Sequence, residues 1–373
     1  MCLYTKKILN KRFVPTRKNG YNPPICYDER LRYIDIECGH CYECKRKKAR
    51  NWRIRMAEQL KETPTAVFFT GTFTDERIEK ISRKYGIEKE NANEIATKET
   101  RLFLERIRRV IGKSVKHWIV TEKGHTNTRR IHIHGIFFAQ EGMSQQSLIW
   151  LLKNNWIAGY SYNGKYVNER TINYVSKYLT KTDLDNVDFE GKVLASPGLG
   201  KKFVSSWNGR QIKYIPKTEV QRTTETYTFR NGAKAPLPKY YKEKLFTEDE
   251  REKLWIEKQE EGFRFVMGEK ILVKTEEEEE AFNQLVMYYR GRNINVHKDN
   301  EHQWEINKWE NKHKNHKTYR KKAINFEKKE YRQERRQDIQ FQKDLREFEK
   351  YYLSKTEPFM CCSQTVLPLS SLA

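Results

Sequence analysis

The chain has 373 residues, with 73 Lys and Arg against 50 Asp and Glu, giving a formal net charge of +23. So basic a chain repels itself unless it meets a polyanion, usually a phosphate backbone, and 13% aromatic residues offer stacking surfaces for unpaired bases. Met1-Cys-Leu-Tyr-Thr-Lys-Lys lacks the apolar stretch of a signal peptide, and no run approaches the ~20 apolar residues of a membrane span, so a membrane partner is not expected. The seven cysteines are then expected in a reducing cytoplasm, as thiols or metal ligands rather than disulfides.

In chain order, the first cluster with chemistry is Cys38-Gly-His-Cys-Tyr-Glu-Cys44, two overlapping C-x-x-C spacings. Cys26 lies upstream and could complete a four-thiolate zinc site with Cys38, Cys41 and Cys44, with His40 or Cys2 as substitutes. Unliganded thiols at the start of a helix are the alternative. A helix from about Glu43 to Lys61 follows, carrying Lys45, Arg46, Lys47, Lys48, Arg50, Arg53 and Arg55. A nearly single-signed run of this kind suits a DNA-backbone surface, and Thr63-Pro64 breaks the helix.

The core is expected to begin with a strand over 66–73, a helix over about 93–111 ended by Gly112, and a strand over 116–122. Next comes Arg130-Ile-His-Ile-His-Gly-Ile-Phe-Phe138. Alternation along a strand sends His132 and His134 to one face while Ile131, Ile133 and Phe137 pack on the other. Neutral imidazoles side by side are a metal-site geometry. Lys116–Glu122 and the polar connection 124–130 read as the other arm of a hairpin, which would bring Glu122 beside the histidines as a carboxylate third ligand. Taken alone, the histidines could be a polar outer face and Glu122 a solvated strand end. By parity His117 faces away and reads as structural, and His125, in the turn, is a weak candidate.

A helix over about 144–155, a strand near 158–167 and a helix over about 170–181 complete the core. In the last of these, Tyr174 and Tyr178 are four residues apart and share a helical face, with Lys177 between them. Phenol is a poor nucleophile near neutral pH, with a pKa of about 10, and a nearby ammonium or a polarised phosphate makes it competent. Packing tyrosines on an amphipathic helix are the alternative. Strands mixed with helices around a hairpin point to an α+β fold, one antiparallel sheet with helices on one face and the histidine face open to DNA. Pro197-Gly-Leu-Gly-Lys-Lys202 does not satisfy the phosphate-loop pattern, and no helicase motor is found.

From about Phe246 the chain changes character. Glu276–Glu280 is purely acidic, and 308–350 is dense in Lys, Arg, Glu and Gln, which reads as a charged, mainly helical extension with a flexible tail past about 354. Cys361 and Cys362 sit in that tail and look unrelated to the first cluster. The expected organisation is 1–62 (cysteine cluster and basic helix), 63–245 (core domain), 246–355 (charged helical region) and 356–373 (tail).

Three segments in order, Phe68-Phe-Thr-Gly-Thr-Phe-Thr74, His132-Ile-His134 and Tyr174-Val-Ser-Lys-Tyr178, resemble the motifs of the HUH endonuclease superfamily. The sequence is most similar to the rolling-circle replication initiators of Microviridae-type single-stranded DNA phages in their two-tyrosine form. Ala195-Ser-Pro-Gly-Leu-Gly200, Ala235-Pro-Leu-Pro-Lys-Tyr-Tyr241 and the cysteine cluster before a basic helix also resemble that family, and the likeness covers roughly residues 38–245. The resemblance implies a ferredoxin-like palm and a metal-dependent endonuclease and strand transferase. Glu122, His132 and His134 would hold Mg²⁺ or Mn²⁺. Tyr174 and Tyr178 would be the nucleophiles on single-stranded origin DNA, leaving a 5′-phosphotyrosyl linkage and a free 3′-hydroxyl. A host helicase and replication machinery would be partners, in a bacterial host cytoplasm. The rival classes are a HUH transposase or plasmid initiator and a non-enzymatic, zinc-containing nucleic-acid-binding module.

Overall fold

A computed structural model of the chain describes residues 1–124, 130–164, 166–181 and 189–299. They fall in one compact unit, Met1–Gln303. The candidate His125, the charged stretch 308–350 and the tail with Cys361 and Cys362 lie outside the described residues.

The chain opens with a small antiparallel pair, β1 (Lys6–Leu9) and β2 (Tyr33–Ile36), which runs into the basic helix α1 (Tyr42–Glu62). α1 begins at Cys41 without a side-chain cap of its own. Instead the Asp299 carboxylate, far along the chain, accepts the Tyr42 N–H at 3.0 Å and so satisfies one orphan donor of the first turn. Then come β3 (Ala66–Thr72), α2 (Asp75–Tyr85), α3 (Ala92–Ile111), β4 (Lys116–Lys123), β5 (Ile131–Phe138), α4 (Gln145–Asn155), β6 (Ser161–Gly164), α5 (Glu169–Lys177) and β7 (Val193–Ala195). α2 was not anticipated, although its signals are local: Thr74 caps it, Asp75 and Glu76 fill the first turn, and Gly86 ends it in the left-handed region.

The sheet is antiparallel throughout in the order β6-β3-β5-β4-β7. Strict alternation sorts its side chains. Val67, Phe69, Ile119, Ile133 and Phe137 face one side and bury Phe103 and Ile107 of α3 with Leu148, Leu151 and Leu152 of α4. Ala66, Trp118, Val120, Ile136 and Phe138 face the other and pack on Met56 and Ala57 of α1 and on Ile172 and Val175 of α5. The mixed α+β class and the antiparallel sheet are as expected. The histidine face is not bare, however. α1 and α5 bury their apolar sides on its Phe138 end, and of the two histidines His134 is itself buried while His132 is partly exposed.

Past the sheet, α6 (Trp207–Gln211), the β8 (Thr226–Thr228)–β9 (Lys234–Pro236) pair and α7 (Lys239–Leu245) form a further layer with α8 (Glu248–Glu261), where Phe203, Tyr227 and Tyr241 close on Ile54 of α1. A hairpin, β10 (Phe263–Val266) with β11 (Glu269–Leu272), and α9 (Glu276–His297) come next. The expected helical character holds for α8 and α9, while the hairpin between them was unforeseen. The acidic run supplies the first turn of α9 behind a Thr275/Glu278 capping box, where negative charge complements the helix dipole. Val266, Phe282 and Val286 bury Leu3, which brings the chain's beginning against α9.

Gly135 lies tight against β4. A Cβ there would sit 2.7 Å from the Trp118 carbonyl oxygen and 2.8 Å from Ile119 Cγ1. Gly135→Ala is therefore expected to cost about 1–3 kcal/mol, the usual penalty of overpacking, read as a lower midpoint in chemical denaturation.

Candidate active site and thiol cluster

The β4–β5 register sets Glu122 directly opposite His132 and Val120 opposite His134. All four side chains share a face, so the carboxylate lies beside both imidazoles. Glu122 Oε2 pairs with His134 Nε2 at 2.8 Å, and its other oxygen accepts from Lys181 Nζ at 2.7 Å. From β3, Thr70 Oγ1 lies 3.0 Å from His134 Nδ1, which fixes the ring with Nε2 towards Glu122. The His132 and His134 rings are nearly parallel, 6.5 Å apart by centroid.

Burial works against the Glu122 charge, but the hydrogen bonds from His134 and Lys181 outweigh it and hold the carboxyl below its ordinary range. His132 is pushed below the usual imidazole value by burial and by neighbouring His134, with Glu122 pulling weakly the other way.

α5 delivers the tyrosines. Asn168 caps it through the Thr171 N–H, and Ile172 and Val175 in the core orient the helix so that its outer face overlooks the histidines. Tyr178 stacks on His134, centroids 4.3 Å apart and planes within 7°. Its hydroxyl meets that of Tyr174 at 2.8 Å. Tyr174 remains 53% exposed, its ring edge-on to Phe68 at 6.2 Å. Burial, the bond to Tyr174 and the negative charge of Glu122 together push the Tyr178 phenol well above its ordinary value.

Lys177, expected between the tyrosines, points to solvent. A cation that does reach the site is Lys181, on Glu122 and 6.0 Å from the Tyr178 ring. Sequence reasoning passed over Lys181 and Thr70. The signal for Lys181 was its place seven residues after Tyr174, continuing the Tyr174–Tyr178 face by another turn.

Two imidazoles and a carboxylate on one sheet face are donor types that divalent cations take, and here the pair in contact is His134 with Glu122.

The second cluster lies at the start of α1. Cys2, Cys38, Cys41 and Cys44 are all buried, with their sulfurs within 4.8 Å of one another. Cys2 and Cys38 lie 3.5 Å apart, Cys38 and Cys44 3.9 Å, and Cys2 and Cys41 3.9 Å. A tetrahedral ion at about 2.3 Å from each sulfur would space them by about 3.8 Å, so the set fits zinc. Backbone N–H groups of Tyr4 and Cys38 donate to the Cys2 sulfur, and that of Cys41 to the Cys38 sulfur, as suits thiolates.

The fourth thiol is thus that of Cys2 and not Cys26, whose sulfhydryl lies apart and donates to the Asp28 carbonyl. His40 is turned to Glu190 at 2.7 Å. Among the described residues this is the one group of three or more such donors that closes so far. In the Glu122, His132 and His134 set the close pair is His134 with Glu122.

The basic residues of α1 do not form one stripe. Arg46 pairs with Glu43 and Lys47 with Glu37 on the exposed side, with Lys45 and Lys48 half-buried nearby. Arg50 is half-buried, with its Nε unsatisfied. Arg53 lies over Phe229, and Arg55 is sandwiched between Trp52 and Tyr240 while donating to the Leu199 carbonyl. Arg55 therefore leaves the expected DNA-facing set, because its guanidinium serves the packing of the 200–254 layer on α1.

Residues 66–183 match a family model described as replication-associated protein, of the ORF2 type. The matched span runs from β3 to just past α5 and holds Glu122, His132, His134, both tyrosines and Lys181. The likeness to replication-associated proteins is thus confined to this part of the chain. Comparison with curated proteins and with solved structures found no significant match. Among the described residues no helix is long and apolar enough to cross a membrane.

In the metal-free protein His132 is expected to titrate below the ordinary value of about 6.5, followed by NMR of its ring protons. Glu122→Gln should move it lower still, because the carboxylate favours the imidazolium.

Proposed function

We propose that the protein is a HUH-type, two-tyrosine replication initiator that nicks and rejoins single-stranded origin DNA. The observation that carries this reading is the meeting of two tyrosine hydroxyls, 2.8 Å apart, over an imidazole already engaged by a carboxylate. Glu122, His132 and His134 would hold Mg²⁺ or Mn²⁺. When bound, such an ion supplies Lewis-acid polarisation of the scissile phosphate.

The chain's own residues do the rest. Thr70 keeps the His134 ring oriented, and Lys181 holds Glu122 in position while adding positive charge beside Tyr178. A tyrosine Oη attacks phosphorus and loses its proton; the P–O3′ bond breaks, and the departing 3′-oxygen takes up a proton. The product is a 5′-phosphotyrosyl protein and a free 3′-hydroxyl that primes synthesis. The second tyrosine, on the same helix face, then cleaves the regenerated origin, and the 3′-hydroxyl so released attacks the first phosphotyrosine and closes a circle. The bond energy is conserved through the covalent linkage, so joining needs no nucleotide cofactor. With no motor motif in the sequence, a host helicase is the proposed source of unwinding, in the host cytoplasm.

The test is incubation of the full chain with single-stranded circular DNA from its own genetic neighbourhood, with Mn²⁺ or EDTA, on a denaturing gel. A metal-dependent covalent adduct should form and vanish only when Tyr174 and Tyr178 are both Phe. Lys181→Met and Thr70→Val should each slow it about 10- to 100-fold, as removal of a metal ligand's supporting partner does. Binding without any adduct would sink the enzyme and favour a nucleic-acid-binding module.

We also infer that Cys2, Cys38, Cys41 and Cys44 hold a structural zinc ion, which ties the chain's beginning to α1. The purified protein should carry about one zinc per chain. Cys2→Ser should lower that content and the melting temperature, whereas Cys26→Ser should change neither.

A further inference from the structure

Beyond the reacting centre, the histidine face continues across the sheet to its β6 edge. Tyr162 on β6 pairs with Thr70, which pairs in turn with His134. One step along, Thr72 donates its N–H to the Tyr160 carbonyl, and Thr72 pairs with His132. One row, Tyr162–Thr70–His134, therefore runs across three strands on one face, and Tyr160, just before β6, continues the register beside Thr72 and His132. Two strand spacings of about 4.8 Å put each tyrosine about 10 Å from its histidine.

Both are strongly exposed, Tyr160 at 69% and Tyr162 at 52%. Tyr162 meets Phe68 edge-on at 6.4 Å, and Phe68 meets Tyr174 at 6.2 Å, so aromatic contact is continuous from the edge strand to the proposed nucleophile. Isolated exposed aromatics need no explanation, but two in register with a functional pair on a sheet edge do.

We propose that Tyr160 and Tyr162 form a base-stacking ledge that carries single-stranded DNA off the reacting centre over the β6 edge. The inference rests on the reading above only in naming DNA as the occupant. The occupant's chemistry follows from the continuity with the phosphate site and from the net charge of +23, which draws a polyanion to this chain. An aromatic face is sequence-tolerant, so the ledge grips bases within about two or three nucleotides of the reacting phosphate without reading them, taking about 3.4 Å per base.

The test is equilibrium binding of a fluorescent, unstructured oligonucleotide to the full chain in EDTA, across a range of salt. Tyr162→Ala should weaken binding about 5- to 100-fold, the range for losing one stacked base, and adding Tyr160→Ala should weaken it further. Tyr162→Phe should bind within about twofold of the parent, because the ring and not the hydroxyl does the stacking. The slope of log affinity against log salt should stay unchanged in the alanine variants, since no phosphate contact is removed.

The ledge is overturned if Tyr162→Ala binds like the parent, if Phe is as weak as Ala, or if the loss comes with a shallower salt slope. Because nothing is cut in EDTA, failure here leaves adduct formation untouched. A protein that stacks DNA on these rings yet forms no adduct would fail the nicking proposal alone.

Discussion

The antiparallel register between β4 and β5 is the constraint on which the site depends. It places Glu122 opposite His132 and leaves His134 two pairs inward on the same face, within reach of the same carboxylate. A slip of one residue would turn every side chain of one strand to the opposite face. Such a slip is strongly resisted because both faces are buried: Ile133 and Phe137 lie in the core with α3 and α4, and Ile136 and Phe138 in the core with α1 and α5. The geometry of the polar residues is thus enforced by the apolar ones alternating with them.

α5 is held by the same logic. Ile172 and Val175 seat its inner face, so Tyr174 and Tyr178 emerge over the histidines. Lys181, just beyond the helix, completes a chain of polar contacts from Thr70 through His134 and Glu122. In a half-buried setting each member needs its partner, since a polar group left unpaired is costly. Rigidity of this kind is what the proposed alignment of a tyrosine oxygen with a phosphate would require.

At the other end of α1, a far-reaching closure has a comparable structural effect. Cys2 reaches Cys38, Leu3 enters the core with α9, and Asp299 caps the first turn of α1. The basic helix is therefore anchored at its start, while its middle divides between the exposed Arg46 and Lys47 and the arginines that pack on Phe229, Trp52 and Tyr240.

What the sequence by itself determined is short-ranged. The two-residue period of β5 predicted that His132 and His134 share a face, and the four-residue spacing of Tyr174 and Tyr178 predicted the same for them, because backbone geometry alone dictates both periods. The C-x-x-C spacings marked three of the four clustered thiols, and the antiparallel hairpin followed from two strand patterns around a polar connection. What only the tertiary structure decided is which distant groups meet. Cys2 rather than Cys26 joins the cluster 36 residues on, Lys181 rather than Lys177 reaches Glu122 across 59, and Arg55 turns into packing. The alignment of Tyr160 and Tyr162 with the histidines belongs there too, because it depends on β6 pairing with β3. Such choices are made by loop closure and the burial of whole faces, which no local period encodes.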